Sequence, residues 1–172
     1  TLAAAAAAPA AAPVGTPAKP VAASPAQRWN GDNRAVWLGN ERGAPFELPA
    51  DSVVQTWFGP VRPALVVRCT SRTIETFVYT RTPTKIELGA EGRTVTVSVD
   101  GEPPRTERWS SSEDRVALFA PDSDAFAKRV LQAGTLRFGY SPHNSSDAVA
   151  QFAVAGLAES IQPVARECGW KK

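Results

Sequence analysis

The stretch RTVTVSVD (93–100) carries the clearest alternation of apolar and polar residues in the chain. Val95, Val97 and Val99 fall on one side of an extended backbone, and the intervening threonine and serine residues fall on the other. A period of two predicts a β-strand with one face in the core and the other toward water. This pattern restricts the possible fold more than any other feature of the sequence.

Similar patterns recur along the chain. ALVVRCT (64–70) places Leu65, Val67 and Cys69 on one side, and TLRFGYS (135–141) repeats the alternation. Further strands are predicted at residues 35–39, 53–57, 73–80, 85–88, 105–109, 115–119 and 148–154. Turn sequences, Gly59-Pro60 among them, separate these strands. Many short strands at this spacing predict a mainly β fold, an antiparallel β-sandwich or open barrel.

Two short helices are predicted among the strands. The first, SDAFAKRVLQAG (123–134), has Ser123 as its N-cap and Gly134 as its stop. The second lies at the C-terminus, where Gly169 ends it and Pro163 either kinks it or starts its second part. Its apolar stripe, with spacings of four, three and four residues, is formed by Leu157, Ile161, Val164 and Cys168.

Residues 1–28 differ in composition from the rest. They are rich in alanine and contain five prolines, so they disfavour a continuous helix and supply little bulky apolar surface for a core. We expect a semi-extended tether followed by one domain at residues 29–172. The alanine-rich start resembles the small-residue region that signal peptidases cut, so we expect a processed, exported protein. A plain Ala/Pro linker would have the same composition.

The two cysteines support this prediction of export. Cys69 lies on the apolar side of an early strand, and Cys168 lies on the apolar stripe of the last helix. Two inward-facing cysteines in an exported chain predict a disulfide that joins the terminal helix to the sheet. The alternative is a pair of ordinary buried thiols, because free cysteine is often a core residue.

Charge and composition argue against several functions. Nineteen lysine and arginine residues against seventeen aspartate and glutamate residues give a net charge of +2 without a basic cluster, so we expect no nucleic-acid partner. No apolar stretch approaches the roughly 18 residues of a membrane span, so no transmembrane segment is predicted in the chain as given. One histidine and two distant cysteines supply too few ligands for a metal, and no cofactor is predicted.

The single histidine, His143, lies in the loop SPHNSSD (141–147) together with Ser141, Ser145 and Ser146. A small hydrolase with one of these serines as nucleophile is therefore one hypothesis. However, neighbours on one loop rarely reach the fixed separations that a catalytic triad requires, and a polar turn after proline explains the same residues. We therefore expect no catalytic residues and a protein that is not an enzyme.

Five tryptophans are many for a chain of this size. Trp37, Trp57 and Trp109 lie in predicted strands and are expected in the core. Trp29 and Trp170 flank the two ends of the domain, where they could cover sheet edges or form part of a partner-binding surface.

Three stretches of the chain resemble a known family. ALVVRCTSRTIETFVYT, VSVDGEPPRTERWSSSEDRVALFAP and DAFAKRVLQAGTLRFGYSPHNSSDAVAQFAVAGLAESIQPVARECGW are similar to segments of the periplasmic accessory proteins encoded with type VI secretion systems. The related invasion-associated locus B proteins share a comparable strand-rich plan. The resemblance covers roughly residues 64–170. It implies a periplasmic β-sandwich, a Cys69–Cys168 bridge and an accessory role.

The leading hypothesis is a non-catalytic exported accessory protein that docks on a larger cell-envelope or membrane-associated assembly. It would bind through its N-terminal tether and a sheet edge or a tryptophan-bearing end. Membrane association would come from that partner or from a removed N-terminal anchor. The alternatives are the His143 hydrolase and a ligand-binding β-sandwich.

Overall fold

A computed structural model describes residues 45–171. The predicted strand at 35–39, the tether at 1–28, Trp29 and Trp37 lie outside these residues. In chain order the elements are β1 (Phe46–Pro49), β2 (Val54–Thr56), β3 (Gly59–Val61), β4 (Ala64–Thr70), β5 (Thr73–Tyr79), β6 (Arg93–Val99), β7 (Arg105–Ser111), β8 (Ala117–Phe119), α1 (Ser123–Leu131), β9 (Thr135–Tyr140), β10 (Ala148–Ala153), α2 (Leu157–Ser160) and α3 (Gln162–Cys168).

Eight of these strands form one antiparallel sheet in the order β1-β4-β5-β8-β7-β6-β9-β10, and β2 and β3 form a separate hairpin. Strand β7 joins two halves of the sheet, β1-β4-β5-β8 and β6-β9-β10. Its first five residues pair with β6, whereas Ser110 and Ser111 pair with β8. The chain between β1 and β2 reaches the far edge, where the backbone N–H of Asp51 donates to the carbonyl oxygen of Gln151 on β10 at 2.7 Å. The mainly β, antiparallel fold predicted from the sequence is confirmed.

Both halves of the sheet enclose one core, as the alternation predicts. The valines of β6 and the apolar residues of β9 are buried there together with the inward side of β4. Trp109 of β7 is fully buried at its centre, and its ring centroid lies 4.9 Å from that of Phe126 and 4.8 Å from that of Phe138. Ser98 departs from the pattern. It is buried because its hydroxyl donates to the carbonyl oxygen of Glu102 at 2.5 Å.

The other face of β4, β5 and β8 carries a second, small apolar cluster. Val66, Phe77 and Ala117 are fully buried there. The guanidinium of Arg68 lies 5.3 Å from the ring centroid of Phe77, so an aliphatic stem and a cation cover this cluster. The outer face of the sheet is therefore not entirely exposed to solvent, because it includes this buried apolar cluster.

Helix α1 is capped by Asp122 and not by Ser123 as predicted. The Asp122 carboxylate accepts from the backbone N–H of Ala125 at 2.9 Å. Ser123 instead accepts from the backbone N–H of Thr76 on β5 at 3.0 Å and so fixes the helix to the sheet. Both residues are good N-caps in isolation, and this tertiary contact decides between them.

The C-terminal helix is divided, as Pro163 predicts. Helix α2 ends at Ser160, and α3 begins with Pro163 in its first turn, where the missing N–H of proline costs no hydrogen bond. Gly169 ends α3 with a left-handed φ of 62°. The described residues therefore contain three helices and not two.

A disulfide joins Cys69 of β4 to Cys168 of α3, with the two Cα atoms 5.5 Å apart. The next contact along the chain strengthens this attachment, because the indole N–H of Trp170 donates to the carboxylate of Asp124 on α1. That hydrogen bond, followed by the pairing with Lys128, lowers the pKa of Asp124. The end of the chain is thus attached to both the sheet and α1.

In the described part of the chain, one predicted strand is absent, and two strands form that were not predicted. Residues 85–88 form no strand, whereas β1 and β3 form where none was predicted. Strand β3 contains Gly59-Pro60, which the sequence marks only as a turn. Its ladder with β2 is three residue pairs long, and proline is tolerated in such short peripheral strands.

Candidate partner-binding site

Exposed large apolar side chains are confined to three segments within residues 45–171. They lie on the β2–β3 hairpin and the residue before it, on the segment after β5, and at the start of β10. Trp57 is 70% exposed and Leu88 is 94% exposed. We call the whole set the apolar rim: Val53, Trp57, Phe58, Ile86, Leu88 and Val149.

The hairpin tip holds its two aromatic residues outward. The hydroxyl of Thr56 donates to the carbonyl oxygen of Gly59 at 2.7 Å and accepts from the backbone N–H of Phe58 at 3.2 Å. Gly59 has a φ of 105°, which glycine adopts without a steric cost. The prediction that Trp57 lies in the core is therefore wrong. Strand β2 ends at Thr56, and Trp57 lies in the turn that follows, with its side chain exposed to solvent.

The loop 141–147 is attached to the segment after β5 by backbone hydrogen bonds. The N–H of His143 donates to the carbonyl oxygen of Pro83, and the N–H of Lys85 donates to that of Ser141, both at 2.8 Å. Two such bonds define the position of the loop relative to Lys85 and its neighbour Ile86.

The same loop contacts the hairpin. The backbone N–H of Trp57 donates to the hydroxyl of Ser145 at 2.7 Å, and that hydroxyl donates to the carbonyl oxygen of His143 at 3.1 Å. The hairpin and the segment after β5 therefore both contact the loop 141–147, which leads directly into β10, although 88 positions separate Trp57 from Ser145.

Besides the backbone hydrogen bond of Lys85, side-chain contacts and not a strand ladder attach the segment 85–88 to the sheet. The carboxylate of Glu87 accepts from the backbone N–H of Thr94 at 2.6 Å, from its hydroxyl at 2.8 Å, and from Arg108. Burial opposes ionisation here, but these hydrogen bonds prevail and lower the pKa of Glu87. Ile86 and Leu88, on either side of this anchor, remain exposed.

An open cavity of about 610 Å³ lies between the loop 141–147 and the segment after β5. Its lining combines a lysine, an imidazole, an amide and hydroxyls with two apolar residues: Lys85, Ile86, Pro142, His143, Asn144, Ser145 and Ser146. No carboxylate residue lines it. Sequence reasoning singled out this loop for its histidine and serines but did not find the neighbouring rim.

The serines of the loop hold the turn together. The Ser141 hydroxyl donates to the carboxylate of Asp147 at 2.6 Å, and the Ser145 hydroxyl donates to a backbone carbonyl. A serine nucleophile needs a hydrogen bond from its hydroxyl to the histidine ring. Neither of these two hydroxyls donates to the His143 ring. Both donate to other acceptors, and the hydrolase alternative stays a prediction.

Trp170, predicted as a partner-binding residue, is partly buried. It packs against the main core, and its indole is bound to Asp124. Trp29 lies outside the described residues, so its role stays a prediction. The exposed tryptophan that the structure does present is Trp57.

Within the part of the chain that the structure describes, no group of His, Cys, Asp and Glu residues could hold a metal ion. No helix among the same residues is long and apolar enough to cross a membrane. Comparison of the chain with models of protein families, with curated proteins and with solved structures finds no match.

Proposed function

We propose that this chain is a non-catalytic exported accessory protein that docks on a larger cell-envelope or membrane-associated assembly through its apolar rim. The observation that carries the proposal is that, within residues 45–171, the exposed large apolar side chains lie on three segments that meet at or adjoin the loop 141–147. Exposed apolar side chains gathered in one region are typical of interaction sites, whereas single scattered ones are usual on any protein surface.

Trp57 and Phe58 are the expected anchors. Each is more than 60% exposed, and aromatic residues dominate the binding energy of protein interfaces. Burying the exposed part of one such side chain removes on the order of 100–150 Å² from water, a favourable transfer free energy of about 2–4 kcal/mol before the entropic costs of association are subtracted.

The rim is also preformed. Hydrogen bonds from Trp57 to Ser145, and within the tip at Thr56, hold the hairpin before any partner arrives. A preformed surface loses less conformational entropy on binding than a loop that must order.

The disulfide is compatible with an oxidising compartment, which supports export. The resemblance of residues 64–170 to the periplasmic accessory proteins of type VI secretion supports a periplasmic assembly as the partner. The predicted contacts of the tether and Trp29 would add to the rim. We place the main contact on the rim and not on a sheet edge because the exposed apolar area is there.

Affinity capture from solubilised membranes of the encoding organism tests the proposal. The full chain carries either Trp57→Ser with Phe58→Ser or the matched control Arg72→Ser. Arg72 is exposed in the turn between β4 and β5. In the β4–β5 pair, that turn lies at the end opposite to Ala64. Ala64 follows the β2–β3 hairpin by three positions, so Arg72 lies at the end of the pair away from the hairpin.

The wild type and the Arg72→Ser control should recover the same partner, identified by mass spectrometry, whereas the double variant should lose it. Near-UV circular dichroism checks that all three proteins are folded. Equal recovery by the double variant, or recovery of free monomer by all three, contradicts the proposal.

A further inference from the structure

We infer that the cavity beside the apolar rim binds a carboxylate presented by a peptide segment, while the rim takes the apolar side chains next to that carboxylate. This rests on the proposed docking function and specifies the chemistry of the partner. The carboxylate is that of an acidic side chain or of a free C-terminus.

The charge of the lining supports an anion. Lys85 contributes an exposed ammonium group, and Asn144 and Ser146 contribute exposed hydrogen-bond donors. His143 adds an imidazole, which donates a hydrogen bond in either tautomer.

The carboxylates nearest in sequence to the lining are already engaged. Asp147 accepts from the Ser141 hydroxyl, and Glu87 accepts from Thr94 and Arg108. Neither lines the cavity. Lys85 therefore faces a space without a counter-charge in its lining, and an incoming carboxylate would be attracted to it.

The contacts that position the loop do not involve the side chains of Lys85, Asn144 and Ser146. Backbone hydrogen bonds fix the loop at Pro83 and Ser141, and the Ser145 hydroxyl fixes it to the hairpin. Asn144 has a φ of 49°, a left-handed conformation that asparagine tolerates, so the loop turns at this residue. The amide of Asn144 and the ammonium of Lys85 can thus meet a ligand without unfolding the loop.

The chemistry favours a peptide carboxylate over a phosphate group. Phosphate sites typically use the fork of an arginine or the N-terminus of a helix, and the lining contains neither. One lysine matches a single negative charge. In addition, the apolar residues Ile86 and Pro142 belong to the lining, and the backbone N–H of Trp57 donates to the hydroxyl of Ser145, so the apolar rim adjoins the polar donors.

Nuclear magnetic resonance titration of the full, ¹⁵N-labelled chain tests the inference. The probes are acetyl-Leu-Glu-Leu-amide and its matched neutral peptide, acetyl-Leu-Gln-Leu-amide. A third probe, acetyl-Leu-Leu with a free C-terminus, distinguishes a terminal carboxylate from a side-chain one.

At least one of the two carboxylate peptides, acetyl-Leu-Glu-Leu-amide or acetyl-Leu-Leu, should shift the amide signals of Lys85, Ile86 and residues 143–146. The same peptide should shift the indole signal of Trp57. It should bind about two- to five-fold more tightly than the neutral peptide, the range expected for one exposed charge pair. Lys85→Gln should abolish this preference, and the matched control Arg72→Gln should retain it.

Equal binding of charged and neutral peptides overturns the inference, and so does the absence of shifts at about 10 mM of every peptide. Binding of anionic phospholipid vesicles in place of the peptides, with the same dependence on Lys85, would assign the cavity to a membrane and overturn it too.

The two proposals can fail separately. If capture depends on Trp57 and Phe58 but the peptides bind equally, rim docking stands and the carboxylate inference fails. If the peptides are discriminated but capture ignores the rim variants, the proposed function fails and the chemistry of the cavity stands.

Discussion

Reduction of the Cys69–Cys168 disulfide should remove several kcal/mol of folding free energy. The two cysteines are 99 residues apart, and a covalent loop of that size restricts the unfolded chain by about 4.7 kcal/mol in the chain-entropy model. This value is an upper figure, since real unfolded chains retain structure. Domains of this size have a total stability of about 5–15 kcal/mol, so the reduced protein should be marginally stable.

Urea unfolding of the oxidised and the reduced protein measures this difference. Trp109 is fully buried in the core and reports unfolding by its fluorescence. Reduction should lower the urea midpoint and raise the slope m, because the unfolded chain expands when the cross-link is removed. The double variant Cys69→Ala with Cys168→Ala, measured without reductant, should show a similar midpoint and controls for the reductant itself.

A difference in unfolding free energy below about 1 kcal/mol between the two forms would refute this reasoning. It would mean that the reduced, unfolded chain retains so much structure that the cross-link restricts it little further. Thiol titration of the unreduced, denatured protein is an independent check. It should detect no free sulfhydryl, and two free sulfhydryls would contradict the disulfide and weaken the case for export.

Three further predictions follow from the core and its turns. Trp109→Ala should destabilise the protein by about 3–5 kcal/mol in thermal or urea unfolding, as expected for a large buried aromatic residue, and a loss below about 1 kcal/mol would contradict its central place in the core. Gly139→Ala should cost about 1–3 kcal/mol, because a Cβ atom there would lie 2.2 Å from the Thr96 hydroxyl oxygen, and adding Thr96→Ala should recover much of that loss. Asp100 has a pKa lowered by backbone hydrogen bonds from Thr135 and Gly134, so its contribution to stability is present above about pH 4 and is lost as the pH falls through its folded value. Asp100→Asn should therefore make unfolding less sensitive to acid between about pH 2 and 5, and an unchanged pH profile would contradict this assignment.

The sequence predicted the strands best where one face alone meets the core. Strand β6 and strand β9 follow their alternation because their inward side chains share a single cluster. Ser98 escapes this pattern because its hydroxyl bonds to a carbonyl four residues later, and polarity alone does not reveal that partner. Trp57 escapes it because apolar residues continue past the last hydrogen-bonded residue of β2, and periodicity does not mark where a short strand ends.

Tertiary contacts decided what local patterns left open. Asp122 and Ser123 are both suitable N-caps, and the contact of Ser123 with β5 assigned the cap to Asp122. The candidate site could be predicted only in part. The loop around His143 attracts attention by its residue types, but the rim depends on segments that are far apart in sequence and meet only in the folded chain.

Because both cysteines of the chain are used in one buried disulfide, a thiol introduced by mutation would be the sole reactive sulfur on the surface. Leu88→Cys, at the most exposed position of the rim, could carry a maleimide photo-cross-linker under non-reducing conditions. The native sulfurs should exchange slowly with an added thiolate, since Cys69 and Cys168 are 5% and 8% exposed. The protein is therefore ready for single-site covalent trapping of whatever touches that surface.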